Sequence, residues 1–194
     1  MSSGGRLARV REVLAEAARL HDEVRQRDLG PVLRAVEALD AAFARGGKVL
    51  LFGNGGSAAD AQHFAAELVG RFRRERPALA AVALTTDTSV LTAIGNDYGF
   101  ERLFARQIEA LGRPGDVALG ISTSGRSANV LAGLETARAR GLTTVALTGG
   151  DGGAIGRAAV IHINVPEEST PRVQEAHRTL LHAMAEMLDE PDEG

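Results

Sequence analysis

Apolar residues recur every three or four positions from Leu7 to Val24 (Leu7, Val10, Val13, Leu14, Ala17, Leu20, Val24) and again from Val32 to Phe43 (Val32, Leu33, Val36, Leu39, Phe43). This spacing keeps one face of a helix apolar. It predicts helices over 6–28 and 31–45, separated by Asp28-Leu29-Gly30-Pro31, where proline suits a first helical position, and closed by Gly46-Gly47. From Lys48 the pattern changes to short, nearly uniform apolar runs. These predict strands over 48–53, 79–85, 117–122, 143–148 and 160–165, with helices over 57–72, 87–95, 100–112, 126–140 and 170–189. Strands apolar on both sides belong to a sheet covered on both faces, and the connections are long enough for crossover helices. The fold class expected is therefore α/β, a three-layer sandwich around a five-stranded parallel sheet, preceded by an N-terminal helical hairpin. That hairpin needs a surface to cover, either its own sheet or a partner subunit. We expect one domain over 1–194, with N-terminal helices in 1–45, the sheet and site in 46–188, and an acidic, frayed tail in 189–194.

Length and composition fit that single domain: 194 residues, 44% hydrophobic, allow a substantial core. The formal net charge of −3 gives no basic face of the kind nucleic-acid binders carry. With no cysteine, a disulfide scaffold and a thiolate metal site are excluded. The first residues, MSSGGRLARVREVL, lack the apolar core of a signal peptide, and no run reaches the ~18 apolar residues of a membrane span. A cytoplasmic protein that meets neither nucleic acid nor membrane is expected.

Ligands of open parallel sheets sit beyond the carboxyl ends of the strands, and two such ends carry chemistry. After the first strand, Gly53-Asn54-Gly55-Gly56-Ser57 is a tight turn leading into an alanine-rich helix, where free N–H groups and the helix dipole favour an anion. After the third, Ser122-Thr123-Ser124-Gly125 with Ser127 gathers four hydroxyls around a glycine at a helix start. One hydroxyl suffices for a cap; four suit a phosphate monoester, which needs several donors at once. Gly53-x-Gly55-x-x-Ala58 also fits a relaxed dinucleotide fingerprint. That reading wants an acidic residue ~20 positions on, and the nearest candidate, Asp87, lies well beyond.

A third group is His63, Glu67, Gln174 and His182. His63 and Glu67 share a helix face at four-residue spacing, and Gln174 and His182 can share a broad face of the last helix. Imidazole and carboxylate suit zinc or a similar divalent ion. Each residue alone reads more simply as a solvated surface group, and His177, beside Arg178, is expected to face solvent with no role. Asn96-Asp97 reads as a turn signal, and the run Arg71, Arg73, Arg74, Arg76 as a solvated helix end.

The segments GNGGSAADAQHFAAEL, AIGNDYGF, GDVALGISTSGRSANV, VALTGGDGG and RVQEAH with a later His182 together resemble the sugar isomerase (SIS) domain family, from about residue 46 to 188. Within that family they look most like the branch acting on seven-carbon sugar phosphates. The resemblance implies a flavodoxin-like or Rossmann-like sheet and a homotetramer with active sites between subunits. It implies substrate contacts at Asn54, Gly55, Gly56, Asn96 and Asp97, and a phosphate loop at Ser122, Thr123, Ser124 and Ser127. It implies zinc on His63, Glu67, Gln174 and His182, with Glu67 and Gln174 also meeting substrate. Glu67 and His182 would be the acid/base pair of an aldose–ketose isomerisation, converting D-sedoheptulose 7-phosphate to D-glycero-D-manno-heptose 7-phosphate as the first step toward nucleotide-activated heptose. Two alternatives stand beside it: a non-catalytic relative that binds the replication initiator DnaA, and an isomerase of another phosphosugar. The retained Glu67 and His182 speak for an enzyme.

Overall fold

The structure, a computed structural model, describes residues 2–189; positions 190–194 of the expected acidic tail lie outside the described residues. Two helices, α1 (Ser3–Arg25) and α2 (Gly30–Ala44), precede the first strand. There follow β1 (Val49–Gly53), α3 (Gly56–Val69), β2 (Ala81–Ala83), α4 (Thr88–Tyr98), a 3-10 turn over Phe100–Arg102 and α5 (Leu103–Leu111). The second half holds β3 (Val117–Ser122), α6 (Ala128–Ala139), β4 (Thr143–Gly149), α7 (Gly153–Ala158), β5 (Ile161–Val165) and α8 (Thr170–Leu188).

All strand pairs are parallel and the spatial order is β2-β1-β3-β4-β5. Alternate side chains sort to two faces. Val49, Leu51, Val117, Leu119, Ile121, Val145 and Leu147 pack with α2, α3 and α8. Leu50, Phe52, Ala118 and Ala146 pack with α5, α6 and α7. The order reverses between β1 and β3, which makes their carboxyl ends the topological switch point where such sheets bind ligands.

At the opposite ends of the same two strands, the side chain of Asp116, 3% exposed, accepts from the backbone N–H of Lys48 (3.0 Å) and of Arg113 (2.9 Å) and from Lys48 Nζ (2.6 Å). This ties the start of β1 to the start of β3 and fixes their register from below. Burial on its own would raise the Asp116 carboxyl; the hydrogen bonds from Lys48 and Arg113 outweigh it and hold the group below the usual carboxylate value.

The structure departs from the expected elements in several places. The helix expected over 57–72 ends at Val69, since Gly70 follows and residues 71–80 form a connecting loop. In that loop the arginines are not simply solvated. Arg76 is largely buried, donates to the carbonyls of Glu67 and Leu68, and pairs with Asp189 at 2.7 Å. Asp189, expected in the frayed tail, is buried and also accepts from the backbone of Arg73 and Arg74. Asn96 and Asp97 lie in the last turn of α4; the turn itself falls at Gly99 (φ +83°). The short α7 has no counterpart among the expected helices. Of the N-terminal pair, α2 covers the chain's own sheet, whereas α1 buries only Leu20 and leaves Leu7, Val10 and Leu14 exposed. Both helices rest on α8.

The Asp116 network predicts a pH-dependent stability. A carboxyl with a depressed folded-state pKa contributes above its unfolded value of ~3.9 and stops contributing as pH falls through the lower folded value. Asp116→Asn should cost about 1–3 kcal/mol at neutral pH, and the gap to wild type should close below ~pH 4, as read by urea unfolding at a series of pH values. A gap that persists undiminished at low pH would contradict this role.

Candidate active site

The turn after β1 is built from glycines for steric reasons. Gly55 adopts φ +55°, a conformation that favours residues without Cβ. A Cβ on Gly56 would collide with the side-chain amide of Gln174. Gln174, on the first turns of α8, therefore lies over the amino end of α3, which no side chain caps. Asn54, at the tip of β1, faces Asn129 of α6. A cavity of about 370 Å3 opens beside this turn, lined by Asn54, Gly55, Thr85, Thr92 and apolar residues of α4 and α5.

The hydroxyl loop after β3 is equally constrained. Gly125 (φ +64°) presses backbone to backbone against Gly152 and Gly153 of the loop after β4, and Ile155 N donates to the Gly125 carbonyl at 3.1 Å. Ser127 occupies the N-cap position of α6 without making a side-chain cap. Its Oγ instead meets Ser122 Oγ at 3.0 Å, and Ser124 Oγ lies 3.5 Å from Ser122. Three hydroxyls thus face one another where a helix begins. That is an arrangement for an anion, and plain capping does not account for it. Thr123 stands beside them, half-buried.

Farther along α3, His63 and Glu67 meet His182 of α8. His63 Nε2 lies 2.7 Å from His182 Nε2 and 3.3 Å from Glu67 Oε1, and the ligand atoms of all three lie within 4.8 Å of one another. The His182 ring is backed by Phe72, 5.5 Å between centroids. Two ring nitrogens can approach this closely only if one carries a hydrogen. The donor set, two imidazoles and a carboxylate, fits a divalent ion. Of the fourth expected ligand, the structure shows that Gln174 sits two turns before His182 against Gly56. Asn96 and Asp97 are exposed on α4, hydrogen-bonded to each other at 2.7 Å; no contact brings them to the three.

Two features escape sequence reasoning. Asp60, 2% exposed on α3, accepts from Arg178 Nε (3.0 Å) and Nη2 (2.6 Å) on α8. This clasp sits one helical turn before His63 on one helix and before His182 on the other, and so sets the register in which they meet. His177, expected in solvent, is 0% exposed. Its Nε2 donates to the Thr148 carbonyl at 3.0 Å, so Nδ1 is bare, and burial pushes its pKa down to about 4. A signal existed: His177 falls within the buried stripe Val173, Ala176, Leu180, Leu181, Met184 of α8.

Comparison with known proteins gives the class. A family profile described as the SIS domain matches residues 12–149, and the chain belongs to this family. Within it, the place of the chain is among the phosphoheptose isomerases. The protein of that name from Geotalea daltonii is 58% identical over 163 residues, covering 84% of this chain and 85% of the relative. That from Aquifex aeolicus is 51% identical over 184 residues, covering 95% and 96%. The solved phosphoheptose isomerase from Neisseria gonorrhoeae superposes with a TM-score of 0.89 at 49% identity, over 94% of this chain and 98% of its own.

The buried His177 yields a prediction. Its folded pKa of about 4 lies below the ordinary value near 6.5, so the unfolded chain takes up a proton that the fold refuses. Its contribution is complete above ~pH 6.5 and is lost as pH falls toward 4, at up to ~1.4 kcal/mol per pH unit. By NMR the ring of His177 should remain neutral at pH 5. A midpoint near 6.5 would show that the ring is solvated.

Proposed function

We propose that the chain interconverts D-sedoheptulose 7-phosphate and D-glycero-D-manno-heptose 7-phosphate by moving a proton between carbons 1 and 2 through an enediol. The observation that carries this reading is the convergence of Glu67 and His182 from two helices of a phosphoheptose-isomerase-like chain. An aldose–ketose isomerase needs a group to take a proton from one carbon and another to serve the oxygen or carbon beside it.

Ser122, Thr123, Ser124 and Ser127 bind the phosphate through their hydroxyls and the first amides of α6. Asn54, Gly55 and Gly56 hold sugar hydroxyls, with Asn96 and Asp97 as further contacts. His63, Glu67 and His182 would hold zinc; Gln174, two turns away against Gly56, stands apart from them in this chain. Bound there, zinc supplies positive charge to stabilise the oxyanion that develops as the proton leaves. Glu67 Oε1 faces His63, which leaves Oε2 as the atom that accepts the proton. His182 donates on the other side. The reading of a non-catalytic protein gains nothing from this geometry, since a binding role has no use for a converged acid/base pair.

We place the working enzyme as a homotetramer with its sites at subunit boundaries. Support comes from the exposed apolar residues Leu7, Val10 and Leu14 of α1, from Tyr98 and Phe100 at the end of α4, and from an α4 that buries no residue in the single chain. The compartment is the cytoplasm, where phosphorylated sugars are made and retained; among the described residues no helix is long and apolar enough to cross a membrane. The product would open the route to nucleotide-activated heptose.

The test is product identification from D-sedoheptulose 7-phosphate before and after chelation and zinc restoration. The aldose should form, vanish with chelation and return with zinc. Glu67→Gln and His182→Gln should each lower kcat by ~10²-fold or more with thermal unfolding unchanged. Near wild-type turnover in either variant would overturn the acid/base assignment.

A further inference from the structure

Asn129 stands in the first turn of α6, two residues beyond Ser127, and is 3% exposed. Asn54 Nδ2 donates to Asn129 Oδ1 at 2.8 Å, and Asn129 Nδ2 donates to Asn54 Oδ1 at 2.9 Å. A reciprocal amide pair is a two-point link. Each side chain commits one N–H and one lone pair and keeps one of each. Turning one amide alone would set N–H against N–H and oxygen against oxygen, so the two amides turn only together.

This link joins the two ligand-facing loops. β1 and β3 are neighbours in register, Gly53 opposite Ile121, so the sheet brings their ends side by side. Beyond the strand ends, however, the chain after β1 is Gly55-Gly56, which has no side chain to anchor it. The loop after β3 is held separately, by Gly125 against Gly152 and Gly153. The Asn54–Asn129 pair is a side-chain tie between the glycine turn and the helix whose start cradles the hydroxyls.

We infer that Asn129 is a positioning residue that fixes the distance between the sugar-binding turn and the phosphate loop, and thereby selects the length of the sugar phosphate. The inference rests on the assignment of these two loops to opposite ends of the substrate. Asn129 does not touch the substrate; it acts through Asn54, whose uncommitted N–H and lone pair are what a sugar hydroxyl meets.

The experiment measures binding, by calorimetry on the intact protein, of inorganic phosphate and of the alditol phosphates obtained by reducing sedoheptulose 7-phosphate and fructose 6-phosphate. Wild type should prefer the seven-carbon ligand. Asn129→Ala should reduce that preference by at least ~10-fold, because the turn is no longer held at one spacing, and should leave inorganic phosphate affinity unchanged. If the alanine variant loses its thermal transition, Asn129→Leu carries the same test, since it keeps the volume and makes no hydrogen bond to Asn54. A preference unchanged in the variant, or lost only in parallel with phosphate affinity, overturns the inference while the isomerase reading stands. A wild type that binds neither alditol phosphate overturns both.

Discussion

Helices α3 and α8 lie far apart in the chain, and the contact between them sets His63 and His182, 119 residues apart, nitrogen to nitrogen. The remaining chemistry depends on that contact. Both helices pack on the same face of the sheet, through Phe64 and Leu68 on one and Val173, Leu181 and Met184 on the other. Apolar packing alone sets distance but tolerates sliding. The buried Asp60, bonded twice to Arg178, supplies a directional contact one turn away. His177, donating to the Thr148 carbonyl, fixes α8 to the end of β4. A charged clasp and a buried imidazole are costly when unpaired, so they penalise any register other than the one that brings His63, Glu67 and His182 together.

The sheet positions the two strand-end loops. Its strand order places the ends of β1 and β3 together at the switch point, and glycines at both ends let the backbone turn sharply there. Ser122, Ser124 and Ser127 then face one another, because Gly125 is pressed against the loop after β4. The loop after β3 thus presents a cradle of hydroxyls, and α3 and α8 present a carboxylate and two imidazoles. The fold holds these groups at a spacing set by strand pairing, helix packing and the Asn54–Asn129 pair.

Much of this was legible in the sequence because it is encoded locally. The five strands are apolar runs, and each lies within the span expected or one residue beyond it, although β2 is reduced to Ala81–Ala83. The glycine turn and the clustered hydroxyls announce themselves by composition, and His63 and Glu67 by their four-residue spacing. What was missed depends on partners distant in sequence. Asp189 and Arg76 look like tail and surface until the loop after α3 folds back on α8. Asn129 is an ordinary first-turn residue until β1 and β3 pair. His177 differs: its polar ring suggests solvent, but its place in the apolar stripe of α8 prevails and buries it. The short α7, rich in glycine and alanine, carries too little pattern to be seen.

The most direct test of the α3–α8 account is zinc stoichiometry and affinity, measured by chelator competition on the wild-type protein and on His63→Ala, with metal-free thermal unfolding as the control for folding. The account predicts one ion per chain in the wild type, its loss in the variant, and closely similar unfolding of the two metal-free proteins. Zinc bound with unchanged affinity by His63→Ala, or not bound by the wild type, would contradict it.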